Sequence, residues 1–145
     1  MARKLFLMIG VAAVALAFSG PSAIAQSFNG TWRGQINCSK LSFASGPRRF
    51  PMVVRVSANS ATYSRQVRDQ ARKLVGTEEG TGAVDGNGAI ELNAKWISAR
   101  ANSRITYTAS YRGSMHPSTA NLQGTQVWMR GGQTESRGCS ISLSR

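Results

Sequence analysis

Few side chains in this chain of 145 residues have the type and spacing that catalysis asks for. His116 is the sole histidine, and it precedes Pro117 in a loop-like stretch. A serine nucleophile would need it as a base, yet no G-x-S-x-G elbow surrounds any serine. Glu78, Glu79 and Asp85 form the densest acidic group. Neighbours on a strand point to opposite faces, so Glu78 and Glu79 would not share one site in regular geometry. A glycosidase-type pair across strands, such as Glu79 with Glu91, is not singled out by spacing, and salt partnership with arginine is the expected role. Gly80-x-Gly82 is followed by neither a helix nor Lys-Ser/Thr, so it does not read as a phosphate loop. No third soft ligand sits near either cysteine, so neither a metal nor a cofactor is expected. These residues predict a protein that is not an enzyme.

Binding chemistry is better represented. The formal net charge is +12, carried mostly by arginine. Such a surface attracts nucleic acid, anionic lipid headgroups or acidic glycans. The densest positive cluster is Arg65, Arg68, Arg72 and Lys73, the first place to look for a polyanion site. Trp32, Trp96, Tyr107, Tyr111 and Trp128 fall on apolar faces. They read first as core. They are also the candidate lining of a cavity mouth, where tyrosine and tryptophan offer a stacking face and a polar handle. Cys38 and Cys139 are the two cysteines, and in an exported chain they predict one disulfide. It would close a loop of about 100 residues and contribute about 4–5 kcal/mol by loop entropy.

Export is expected from the first 25 residues. Arg3 and Lys4 form a basic start, Leu5 to Phe18 an apolar run, and Ala23-Ile24-Ala25 a small-residue cleavage site. Together they predict a signal peptide over 1–25, a single domain over 26–145, and a periplasmic or secreted location.

The elements that would position these residues are strands. Phe28 to Cys38 alternates strictly, with Phe28, Gly30, Trp32, Gly34, Ile36 and Cys38 against polar neighbours. Phe50 to Val56 follows, with Pro51 limiting its pairing, and then a strand through Ala61 and Tyr63. Arg65 to Lys73 carries helical spacing and reads as either a short amphipathic helix or a basic loop. Further strands are expected over Gly76 to Val84, Ala89 to Ile97, Arg104 to Arg112, about Ala120 to Trp128, and around Cys139 to Leu143. Asp85-Gly86-Asn87-Gly88 and Gly131-Gly132 supply the positive-φ residues that hairpins need. The whole predicts an all-β, antiparallel up-and-down β-barrel of about eight strands, its end strands joined by the disulfide. A two-sheet β-sandwich with the disulfide crossing the core is the alternative.

Gly30-Thr31-Trp32 resembles the G-x-W start of the calycin group, the lipocalins and avidins. That resemblance implies a tryptophan closing one barrel end with a basic residue packed across it, a part for Arg137 or Arg145. The avidin ligand pattern is replaced by Arg33-Gly34-Gln35, so no ligand assignment carries over. The chain also resembles small exported bacterial proteins of unassigned function. Gly30-Thr31-Trp32-Arg33, Cys38, Gly80-Thr81-Gly82-Ala83-Val84, Gly88-Ala89-Ile90, Gly124-Thr125-Gln126-Val127-Trp128 and Cys139-Ser140-Ile141 carry this likeness, which implies fold and compartment but no activity.

The function expected is binding: a small apolar or aromatic ligand in the barrel, or an anionic polymer on the arginine surface. The alternatives are a protein-interaction module acting on an envelope protein, such as a hydrolase inhibitor, and a cell-envelope structural factor. The chain is expected to be a monomer.

Overall fold

Eight stretches hold the two-residue alternation long enough to become strands: β1 (Gly30–Cys38), β2 (Arg48–Ser57), β3 (Ser60–Arg68), β4 (Leu74–Val84), β5 (Ala89–Ser98), β6 (Ile105–Met115), β7 (Thr119–Arg130) and β8 (Gln133–Ser144). In this computed structural model, residues 27–43, 48–68 and 71–145 are described. The expected signal peptide and its cut after Ala25 lie outside the described residues. Each strand pairs antiparallel with the next, and β8 returns to pair with β1, closing the barrel. The expected barrel is therefore the fold, and the sandwich alternative does not form, because the hydrogen-bonded ladder runs round the ring rather than splitting into two sheets.

Cys38 and Cys139 lie directly opposite each other in the β1–β8 pair and are disulfide-bonded. The bond links residues 101 apart at the seam where the chain's first and last strands meet. Such a bond marks an oxidising, non-cytoplasmic compartment.

The tight turns lie where the sequence carries turn chemistry. Asp85 Oδ1 accepts hydrogen bonds from the Asn87 and Ala89 amides at 2.9 and 2.8 Å, which folds the β4–β5 connection, and Gly88 takes φ +86°. Gly131 and Gly132 both adopt positive φ in the β7–β8 hairpin.

One expectation is corrected. The described residues of Arg65 to Lys73 form no helix: β3 continues through Arg68, and pairing with β4 (Arg65↔Glu78, Gln66↔Thr77, Val67↔Gly76) overrides the helical spacing of the arginines. Pro51 limits pairing on one side only: it stands opposite Gln35 in the β1–β2 pair. On its other side the β2–β3 ladder covers only Val54↔Tyr63 to Ser57↔Ser60, so Pro51 lies in the half of β2 with no β3 partner. Several strands also run further than expected, β6 reaching Met115 and β4 beginning at Leu74.

The interior has three tiers. One end is filled by an apolar cluster that includes Trp32, Val54, Leu92, Leu122 and Ile141. The other end holds a smaller aromatic cluster of Leu41, Tyr107 and Trp128, with Phe43, Trp96 and Ile105 packed on it. Between them lie the buried polar side chains Arg65, Glu78, Gln126 and Arg137.

Candidate binding site

Strand parity explains how charged groups enter the barrel. Ala61, Tyr63, Arg65 and Val67 alternate inward along β3, and Gly76, Glu78 and Gly80 do so along β4. The glycines leave room for aromatic rings: a Cβ on Gly80 would run into Tyr63, and one on Gly76 into Trp96. Register then sets Arg65 opposite Glu78, Glu78 opposite Trp96, Tyr107 opposite Trp128, and Gln126 opposite Arg137.

Glu78 is fully buried and is the hub of this layer. Tyr63 Oη donates to its Oε1 at 2.6 Å, Tyr111 Oη to Oε1 at 3.0 Å, and Tyr107 Oη to Oε2 at 2.6 Å. Arg65 Nη2 forms an ion pair with Oε2. These three are all the tyrosines of the chain. The network continues outward: Gln126 Nε2 donates to Tyr111 Oη at 2.8 Å, while Gln126 Oε1 accepts from Arg137 Nε at 2.8 Å and Trp128 Nε1 at 3.2 Å. A buried carboxylate with this many donors is well satisfied.

The electrostatics follow from burial and proximity. Burial first, and then the Glu78 charge, push the hydroxyls of Tyr63 and Tyr107 far above the usual phenol range, and Tyr111 moves the same way for the same reasons. Burial works most strongly against the Arg65 charge, but Glu78 and the tyrosines Tyr107, Tyr111 and Tyr63 together outweigh it and hold that guanidinium above its ordinary value. Arg137 is drawn below its ordinary value, chiefly by burial; Tyr107 opposes this, and the nearby charges of Arg65 and Arg48 add to it. Three guanidiniums thus converge on the inner mouth.

Above this layer the barrel opens into a cavity of about 600 Å³. Its walls include Phe43, Phe50, Trp96, Ile105, Tyr107 and Trp128. Trp96 stacks on Tyr107 with centroids 5.3 Å apart, and Tyr107 lies 4.1 Å from Trp128. The size and aromatic lining suit a small-molecule site. The β2–β3 and β5–β6 ladders both stop short of this end, at Val54↔Tyr63 and Lys95↔Thr108.

The candidate residues are distributed unevenly. Trp96, Tyr107 and Trp128 line the cavity, and Tyr111 lies beneath it in the polar layer. Trp32 is at the far end of the barrel: its Nε1 donates to the Phe28 carbonyl at 2.9 Å, and the Arg145 guanidinium sits 5.4 Å from its ring. Arg137 instead lies over Trp128, at 5.2 Å. The expected anion cluster is split. Arg65 points inward at 7% exposure, and Arg68 lines the cavity from an exposed position. Arg72, at φ +62°, and Lys73 are exposed in the β3–β4 connection and do not line the cavity. Cys38 and Cys139 are joined, as expected.

Sequence reasoning missed Arg48, Phe50, Glu78 and Arg137 as site residues. Arg137 is in phase with Cys139, Ile141 and Leu143, and Glu78 with Gly76 and Val84, so parity was the available signal. The preference of charged residues for the surface hid it. No protein-family model, characterised protein or solved structure matches the chain.

Proposed function

We propose that this is an exported, non-enzymatic binding protein that takes a small, largely apolar or aromatic ligand into the open mouth of its barrel. The observation that carries this reading is the cavity of about 600 Å³, walled by Trp96, Tyr107 and Trp128 and floored by a hydrogen-bonded polar layer. Aromatic faces supply apolar contact, and a floor already tied together pre-organises the site. The disulfide supports work outside the cytoplasm. The anionic-polymer reading has less behind it, because Arg65 is inside the barrel rather than on a common surface with Arg72 and Lys73.

A thermal-shift screen of the oxidised protein tests this, with 1-decanol and 2-naphthalenemethanol as neutral probes and heparin as a polyanion, at low and high salt. A probe at 100 times its dissociation constant stabilises by about 2.7 kcal/mol. The expected result is a shift with a small probe that survives salt and is lost in Trp128→Ala. A shift with heparin alone, abolished by salt, would move the function to the arginine surface. The protein-partner reading draws on Ile97, Val127 and Met129, which stand exposed on the outer wall near the mouth. No shift with any probe, together with a partner recovered by pull-down and lost in Met129→Glu, would favour it.

A further inference from the structure

Every charged side chain among the described residues lining the cavity is an arginine: Arg48, Arg65, Arg68, Arg100, Arg130 and Arg137. The nearest carboxylate in the interior, Glu78, is already occupied by three tyrosine hydroxyls and Arg65. Positive charge therefore exceeds negative in a partly desolvated space, where like charges repel more strongly than they would in water. Arg65 makes the imbalance concrete: its Nε and Nη1 are buried and have no hydrogen-bond partner among the described residues. The indole Nε1 of Trp96, also on the cavity wall, is buried and unpartnered as well.

The way the arginines are held adds a geometric argument. Arg65 lies 4.9 Å from the Phe50 ring centre, Arg137 5.2 Å from that of Trp128, and Arg130 5.3 Å from that of Phe43. Stacking on a ring uses the flat face of a guanidinium and leaves its in-plane N–H edge for a planar or tetrahedral oxyanion. Among the described residues Arg137 uses Nε on Gln126. Phe50, whose ring lies against the Arg65 guanidinium, stands on the half of β2 that has no β3 partner.

Resting on the reading of the mouth as a ligand site, we infer that the ligand is an amphipathic anion. A compact oxyanion headgroup, carboxylate or phosphate monoester, is held by Arg48, Arg137 and Arg65, and an apolar or aromatic body lies along Trp96, Tyr107 and Trp128. The arginines select charge, and the aromatic wall accepts a range of bodies.

The test uses four probes with one tail: decanoate, decyl phosphate, 1-decanol and decyltrimethylammonium, titrated into the oxidised protein by calorimetry and tryptophan fluorescence. At least one anion is expected to bind ten-fold or more tightly than 1-decanol, with decyltrimethylammonium weakest. Arg48→Gln and Arg137→Gln should each shrink that gap several-fold, weakening the anions more than they weaken 1-decanol. Both variants are to be checked for native near-UV dichroism. Arg65→Gln is avoided because it would strip Glu78 of its counter-charge. Whichever anion carries the gap assigns the headgroup. If 1-decanol binds as tightly as both anions, or the gap survives both substitutions, the anion inference falls while the cavity remains a ligand site. If no probe binds, both readings fall.

Discussion

At the end of the barrel where the odd-numbered strands begin, Trp32 is fully buried, its indole N–H is satisfied by the Phe28 carbonyl, and Arg145 lies across its ring. At the other end Trp96 is only partly buried, its indole N–H has no partner among the described residues, and its ring stacks on Tyr107 at the edge of a cavity. Both tryptophans sit on the inner face of a strand with the same alternation. What differs is the surroundings. The first end has short turns that bring Val84, Met115 and Phe28 over the core, while the second has the longer β1–β2, β3–β4 and β5–β6 connections and two ladders that stop early. One end is spent on stability, and the other keeps polar and aromatic groups incompletely used. Binding sites characteristically hold such unused capacity.

The sharpest way to break this comparison is to truncate both tryptophans. Trp32→Ala should destabilise by about 3–5 kcal/mol, the cost of a large cavity in a packed core. Trp96→Ala should cost only about 1 kcal/mol, because the ring is partly solvated and its loss also removes an unsatisfied N–H. Urea unfolding of the two variants measures both. Equal costs would mean that the mouth is as much a structural core as the far end.

Alkali probes the layer between the ends. The folded-state pKa values of Tyr63, Tyr107 and Tyr111 all lie above that of a free phenol, so the folded state binds these protons more tightly than the unfolded one. The stability they contribute is complete below the unfolded value of about 10 and declines as pH rises beyond it. By pH 11 the loss should be roughly 4 kcal/mol across the three. Because the chain has no other tyrosine, absorbance at about 295 nm should show no tyrosinate until the barrel unfolds, and then all of it in one step. Gradual tyrosinate formation in a still-folded protein would show that the layer is open to solvent.

How far these features could be read from the sequence varies from residue to residue. Closure, the strand number and the Cys38–Cys139 pair follow from the alternation of Phe28 to Cys38 and from where the cysteines fall. Gln126 shares its alternation with Leu122 and Trp128, so its inward position was visible too. Grouping Trp32 with Trp96 at one mouth was the avoidable error. Trp32 comes third in β1 and Trp96 eighth in β5, and odd-numbered strands all run the same way, so the two must lie towards opposite ends. The Arg65–Glu78 pair was harder to see. Each residue is in phase with buried neighbours, but matching them requires the β3–β4 register, which depends on a shift between Val67 and Arg68. Helical spacing of arginines at the strand's end pulled the reading the other way, and non-local pairing won.

The smallest predicted effect lies at the rim, where the β1–β2 connection is tied to β8. Ser42 donates to Glu135 twice, from its amide to Oε1 and from its hydroxyl to Oε2, each at 2.6 Å. The Ser42 hydroxyl, and then its amide, hold the Glu135 carboxyl below the usual carboxylate range. A depressed folded-state pKa contributes stability above the unfolded value of about 4.3 and loses it as pH falls through the folded one. The pair is solvent-exposed, so global stability should hardly change, but the tether should be released in acid. Amide hydrogen exchange should show Ser42 protection falling between about pH 6 and pH 3. The Val84 amide, bonded to the Asn59 carbonyl at the packed end, should keep its protection. In Glu135→Gln the Ser42 response should vanish. If Ser42 stays protected in acid, the rim does not depend on this carboxylate, and the mouth is more rigidly framed than the early ends of its two ladders imply.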